Sequence, residues 1–344
     1  MRVAIVLCFA SGCGFASRAA SDGGASSGGD GSIPPRDARS PDATPPDAAV
    51  RDGAGGGSGE DGATDCFASW IDHAVQFTAP RQMTELSSSI SATMMTSERD
   101  PWISEDGLRL YFSRSRGTQG GSDIYLATRP SLTASFGNPM DLLNLSGSSD
   151  DDRPALSGDE LTIAIAREPP ATSPGKAHIL LARRDQPSAG FPSPDDVFTK
   201  AINADNADHL DPFLSRDGLR LYLAPTGAAG VQQIMMATRA TTGEAFSEPA
   251  AVRGVVRVGA GNADPAVFDD ERILVFSSTE RAGTNLWYAT RSSAEVDFGM
   301  PVEIASVNSS ASDGDPMLSA DGCELYFSST RGSERHIYHA VVKR

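Results

Sequence analysis

The sequence predicts an all-β chain, a five-bladed β-propeller of four-stranded antiparallel blades. Three observations carry this. A phrase built on Asp-Pro returns five times: "DPWISEDGLRLYFSRS", "DRPALSGDELTIAIAR", "DPFLSRDGLRLYLAPT", "DPAVFDDERILVFSST" and "DPMLSADGCELYFSST". Its prolines, Pro101, Pro154, Pro212, Pro265 and Pro316, are 53, 58, 53 and 51 residues apart. A second phrase follows each one, as in "SDIYLATR" and "TNLWYATR". A third, such as "FGNPMDLLNLS" or "FGMPVEIASVN", follows four of them. Repeats of this period mark propellers and other arrays.

Each repeat converts to strands in order. A short apolar run ("WIS") is closed by a turn carrying Asp-Gly, a hairpin signal. "LRLYF" is rich in β-favouring residues and supplies the second strand. A Gly/Ser/Thr loop leads to a third strand, "DIYLATR". The phrase after Phe-x-x-Pro makes the fourth, where a proline suits an edge. Four antiparallel strands in about 50 residues describe a propeller blade. Blades two and four depart at the turn, with "SGDE" and "FDDE" in place of Ser-x-Asp-Gly, which predicts two weakened turns.

The fifth repeat stops after its third strand, "HIYHAVVKR". The missing phrase stands at the other end of the domain, where "FTAPRQMTELSSS" from Phe77 matches "FGNPMDLLNLSGS" from Phe136. The ring is therefore expected to be closed by an N-terminal outer strand pairing with the C-terminal blade. Cys66 precedes that strand and Cys323 lies in the last blade. In an oxidising compartment they form either a disulfide or two separately buried thiols.

On these phrases the chain resembles the WD40-like β-propeller repeat of TolB-type proteins, whose pattern is Asp-Pro, then Ser-x-Asp-Gly, then a strand ending Phe-x-Ser. The resemblance covers Cys66 to Arg344. It implies a propeller of the cell envelope and little about activity, because propellers host many functions.

The residues before the propeller read differently. "VAIVLCFA" follows a single Arg2 and leads into "SGCG", the order of an export signal. "FASGCG" resembles a bacterial lipoprotein signal, with Cys13 as the lipidated residue; Ala10 departs from the leucine usual there, and the alternative is an ordinary secretory signal. Residues 14–65 are Gly, Ser, Ala, Pro and Asp throughout and read as a disordered tether. "GASSG" within it matches a nucleophile-elbow pattern but lacks the required strand and helix. The expected organisation is thus a signal over 1–13, a tether over 14–65 and a propeller over 66–344, exported and membrane-anchored, in the periplasm or at the outer-membrane surface. No apolar run approaches the roughly 18 residues of a membrane span.

The formal net charge of -16 and pI near 4.7 argue against a nucleic-acid partner, which requires clustered Lys and Arg. Five histidines occur, none with zinc-site spacing; His336 and His339 point to opposite strand faces. The loops leading into the first strands are acidic and include Asp100, Asp152, Asp211, Asp264 and Asp315. Arg116, Arg281 and Arg331 follow the second strands. One reading is a binding face: carboxylates around a channel mouth able to hold a hard cation such as calcium, rimmed by arginines for an acidic partner. The other is that each Asp caps a turn and each Arg pairs locally.

Two functional classes follow. The lack of a singular, non-repeating acid or histidine favours a non-enzymatic, monomeric scaffold that presents one face to an envelope protein or glycan, with the blade-two insertions "REPPATSPGK" and "DQPSAGFPSPDDVFTK" available to a partner. The alternative is a carbohydrate-active enzyme, a glycosidase or lyase, using carboxylates at the propeller centre.

Overall fold

The computed structural model describes residues 65–87, 96–115, 121–137, 139–170, 175–227, 230–255, 260–280 and 283–343. The expected signal, Cys13 and nearly all of the tether lie outside the described residues, as do Arg116 and Arg281. Among the described residues no helix is long and apolar enough to cross a membrane.

The chain opens with the short helix α1 (Phe67–Ile71) and strand β1 (Arg81–Gln82). Blade one is β2 (Glu98–Ile103), β3 (Arg109–Ser115), β4 (Ser122–Thr128) and β5 (Met140–Asp141). Blade two is β6 (Asp150–Leu156), β7 (Thr162–Glu168) and β8 (His178–Arg183). Blade three is β9 (Phe213–Leu214), β10 (Arg220–Leu223), β11 (Met235–Thr238) and β12 (Ala250–Ala251). Blade four is β13 (Asn262–Phe268), β14 (Ile273–Ser278), β15 (Asn285–Thr290) and β16 (Val302–Glu303). Blade five is β17 (Asp313–Leu318), β18 (Glu324–Gly332) and β19 (Glu334–Val341), with β1 as its outer strand. The five blades form the expected propeller. Second strands are buried on both sides, Leu110, Tyr111 and Phe112 being at most 1% exposed, because each sheet is sandwiched between neighbours.

Blade two lacks a regular fourth strand. A single bridge, Leu181 to Asp195, takes its place. The edge of β8 is otherwise satisfied by side chains of the following insertion: Thr199 Oγ1 and Asn203 Nδ2 donate to the Ile179 carbonyl at 2.7 and 2.8 Å. Phe191 and Ile202 of the same segment are buried. Much of this insertion is therefore spent covering its own blade.

The two departing turns are not weak points. Glu160 and Glu271 stand where glycine stands in the other turns, and both adopt the glycine-like positive φ, 56° and 62°. Each reaches the preceding blade. Glu160 accepts from Arg109 at 2.6 Å and from the Tyr111 hydroxyl at 3.1 Å. Glu271 accepts from Arg220 at 2.8 Å and from the Tyr222 hydroxyl at 2.5 Å. Arg184 and Arg291 complete the two clusters from the other side, at 3.5 and 3.3 Å. A charge-assisted clamp between blades replaces the conformational ease of glycine.

A second device recurs at the third strand's end. Arg129, Arg184, Arg239 and Arg291 each donate Nε to the carbonyl of the glycine-position residue in their own blade's turn, at 2.6 to 2.8 Å. Each guanidinium also lies 4.2 to 4.6 Å from a phenylalanine ring seven residues on. Among the described residues blade five has no such arginine.

Closure is built from the N-terminal segment. β1 pairs with β19 through Arg81–His339 and Gln82–Tyr338. A bridge joins Phe77 to Val342. Cys66 and Cys323 form a disulfide, and Trp70, wholly buried, packs edge-on against Phe77 and Tyr288.

Candidate functional site

In blades one, four and five the Asp-Pro dipeptide, and in blade two Arg153-Pro154, lies inside the innermost strand, where the pairing register corrects the expectation of a loop leading into it. Asp211-Pro212 precedes β9, as expected. In blade one Arg99 pairs with Ser113 and Trp102 with Tyr111, so two residues oppose one and form a β-bulge. The same shift falls between Asp152 and Ala155, Ala263 and Ala266, and Gly314 and Met317. Proline at the second bulge position has no N–H to lose from the ladder. The residue before it is left-handed, φ 54° at Asp100, Asp211 and Asp315 and 51° at Asp264, a conformation aspartate tolerates better than most. The left-handed residue before each proline lines a central cavity.

The five residues that precede these prolines line one axial cavity of about 50 Å³, with the prolines and with Trp102, Ala155, Phe213 and Met317. Four are the expected aspartates, Asp100, Asp211, Asp264 and Asp315. The fifth is Arg153, not Asp152: the "DRP" of blade two puts arginine before the proline. Asp152 sits one residue earlier and is wholly buried against Arg99 at 2.7 Å. Arg331 is also committed locally, to Asp313 at 2.6 Å and the Val307 carbonyl at 2.7 Å.

The ring is linked blade to blade. Asp100 accepts the N–H of Arg153, Asp211 that of Asp264, and Asp264 that of Asp315, at 3.1 to 3.4 Å. Arg153 breaks the symmetry. Its Nε lies 2.6 Å from Asp211 Oδ1, and its backbone N–H goes to Asp100. The two carboxylates flanking it in the ring are thereby engaged and buried, 8% and 6% exposed. Asp264 and Asp315, on the two blades away from Arg153, are half-buried.

These two differ in their partners. Asp264 accepts from the Ser277 hydroxyl at 2.5 Å. Asp315 accepts from the Ser328 hydroxyl and from Arg335 Nη1, the latter at 3.3 Å. Burial, then the charges of Asp315 and Asp211, push the Asp264 carboxyl well above the usual range. Burial would raise Asp315 as well, but Arg335, the Ser328 hydroxyl, Arg153 and Arg99 outweigh it and hold it below the usual range. Asp100 is pushed up to about 7 by burial and by Asp315, against Arg99 and Arg153. Opposed proton affinities in adjacent carboxyls are the arrangement of an acid and a base.

A basin of about 1000 Å³ opens on the face bearing the first-to-second-strand turns and shares Trp102, Phe213 and Met317 with the axial cavity. Its walls include Ile103, Leu156, Val267 and Phe268. At its edge Arg216 of blade three pairs with Glu105 of blade one at 2.7 Å. The pair crosses Gly158 of blade two so closely that a Cβ there would lie 2.6 Å from both side chains. His336 and His339 bond different carboxylates, Glu98 and Glu324. Among the described residues no three His, Cys, Asp or Glu side chains are placed to hold a metal ion, so the calcium reading gains no site there.

No known family pattern matches the chain, and no curated protein matches it by sequence. Solved structures do resemble it. An α-L-arabinofuranosidase from Podospora anserina is similar at TM-score 0.54 and 10% identity, covering 78% of this chain and 97% of that one. A family 117 glycoside hydrolase from Zobellia galactanivorans is similar at 0.50 and 12%, covering 78% and 90%. TolB from Acinetobacter baumannii reaches 0.43 and 14%, covering 74% of this chain and 56% of its own. Such identities establish the propeller fold. They also correct the expectation of a non-enzymatic scaffold. Glycoside hydrolases are prominent among structures of this fold, so a closed, repetitive build is no argument against catalysis. The axis does hold two non-repeating residues, Arg153 and Arg335, which are arginines and not the singular acid or histidine looked for.

Proposed function

We propose that the chain is a carbohydrate-active enzyme that hydrolyses a glycosidic bond, with Asp264 as general acid and Asp315 as the carboxylate base. The observation that carries this reading is the pair itself: two partly buried carboxyls on adjacent blades, joined through the Asp315 N–H. The Asp264 carboxyl is raised in proton affinity by burial and its acidic neighbours, and the Asp315 carboxyl is held down, against burial, by Arg335 and the Ser328 hydroxyl. The Asp264 carboxyl donates its proton to the glycosidic oxygen as the bond to the anomeric carbon breaks. The Asp315 carboxylate takes a proton from the water that attacks that carbon. Proton exchange with solvent restores both groups. The basin has the size of a ligand site, and the Trp102 and Phe213 rings give it apolar surface suited to the C–H face of a sugar.

The cellular setting belongs to the same proposal. The chain is exported, lipidated at Cys13 and held off a membrane by residues 14–65, and it meets its glycan in the cell envelope. The support for this is the "ASGCG" segment and the tether composition.

The test is a panel of aryl glycosides and oligosaccharides, assayed with the wild type, Asp264→Asn and Asp315→Asn. Hydrolysis of at least one substrate is expected, with losses of about 10²–10⁴-fold in the variants and unchanged circular dichroism. No hydrolysis across the panel, or variants as active as the wild type, sinks the reading.

A further inference from the structure

The start of the third strand sets a second tier of side chains beneath the ring. Counting back two residues from Ile124, Ile179, Ile234, Leu286 and Ile337 gives Ser122, Ala177, Gln232, Thr284 and Arg335. Gln232 Nε2 donates to Asp211 at 3.0 Å. Ser122 accepts from Arg99 at 3.0 Å. Only blade five places a cation in this tier. Arg335 Nη1 lies 2.9 Å from Ser328 Oγ and 3.3 Å from Asp315 Oδ2, and the Ser328 hydroxyl bonds the same carboxylate oxygen. Its side chain is 30% exposed, so water reaches one end while the other closes on the ring.

We infer that Arg335 is the positioning residue that decides which carboxyl of the central pair is the base. The inference rests on the proposed acid–base reading for its meaning, but its physical content is independent of turnover. The charged groups around Asp315 are Arg99 and Asp100 from β2, Arg153 from β6, Asp211 from the segment before β9, Asp264 from β13 and Arg335 from β19. Arg153 is shared with Asp211 and Asp100, and Arg99 with Asp152. Arg335 alone is committed to Asp315 and its serine. Among the described residues blade four offers Asp264 a hydroxyl and no guanidinium. Remove the Arg335 charge, and Asp315 keeps only Arg153 and Arg99, which it shares with other carboxyls, so the proton's preference for Asp264 weakens. Ser328 fixes the carboxylate's rotation and Arg335 its charge.

The experiment follows carboxyl ¹³C shifts of aspartate-labelled full-length protein against pH, with Asp264→Asn and Asp315→Asn to assign the signals. Asp315 is expected to titrate below Asp264. Arg335→Gln should raise the Asp315 midpoint by about 1–3 pH units, the effect of losing a cation within hydrogen-bond reach. Arg335→Lys should restore it, because a single nitrogen makes both contacts. If Gln disturbs folding, Arg335→Met keeps the stem and removes the charge. An Asp315 midpoint unmoved by loss of the charge, or a loss that Lys fails to reverse, overturns the inference. If midpoints move as expected and no glycoside is cleaved, the enzymatic reading fails and the positioning role stands. If glycosides are cleaved and the acid limb of kcat/KM against pH ignores Arg335→Gln, the positioning role fails and the enzyme stands.

Discussion

Trp70 Nε1 donates to the carbonyl of Gly322 at 3.0 Å. This is the position at which the other four blades use an arginine guanidinium. The last blade borrows from the opposite end of the domain, and supplies an indole, what its siblings make for themselves. Replacing Trp70 by Ala removes a fully buried ring and that hydrogen bond, and should cost about 3–5 kcal/mol. Trp70→Phe keeps most of the packing and should cost about 1 kcal/mol for the bond. Thermal melts of the two variants check the order. A Trp70→Phe variant that melts like the wild type would mean that the carbonyl contact contributes nothing.

Closure by β1 should be separable from the disulfide. A chain beginning at residue 93 lacks α1, β1 and Cys66, and should melt far below one beginning at residue 66, with the edge of β19 open to aggregation. Reducing the Cys66–Cys323 bond in the longer chain removes a cross-link with a sequence separation of 257 residues. The chain-entropy account then predicts a loss of up to about 5 kcal/mol. A reduced long chain that melts like the short one would place all of the closure in the disulfide and none in the strand.

Glu271→Gly distinguishes the two accounts of the departing turns. Glycine relieves the positive φ, worth about 1–2 kcal/mol. It also leaves Arg291 and Tyr222 buried beside an empty site, costing about 3–5 kcal/mol. The second effect is larger, so the variant should be less stable than the wild type. Stabilisation in a denaturant melt would return the turn to a glycine substitute of no further consequence.

Asp100 makes stability depend on pH. Its folded carboxyl titrates at about 7 against an ordinary 3.8, so the folded state holds the proton more tightly than the unfolded chain. The unfolded chain releases it first as pH rises, and stability should fall between about pH 4 and 7, at up to about 1.4 kcal/mol per pH unit. Asp100→Asn cannot ionise. Its melting temperature should gain on the wild type from about pH 4 to pH 7 and level off above that. A constant gap between the two across that range would contradict the raised proton affinity.

What could be seen in the sequence follows from what repeats. The Asp-Pro and Phe-x-x-Pro phrases recur because every blade needs the same bulge and the same outer edge, and the orphaned "FTAP" gave away the closure. The site was partly hidden for the same reason. Alignment makes Asp264 and Asp315 look like Asp100, since all three perform the same bulge, and only their surroundings separate them. The useful signal lay in the mismatches: Arg153 in "DRP", and Arg335 where the other blades have Ser, Ala, Gln or Thr. Asp152 drew attention because it looked like the phrase's first letter, although the proline fixes the register one residue later. Glu160 and Glu271 read as defects because their partners, Arg109 and Arg220, lie about 50 residues away on another blade.

The order of attachments at the N-terminal end has a mechanical meaning. Cys66, the second of the described residues, is bonded to Cys323. A pull applied through the preceding residues loads a covalent link first and passes straight into the middle of blade five. The two-residue strand β1, which would peel open one hydrogen bond at a time, lies behind that link and carries no tension until the sulfur bond breaks.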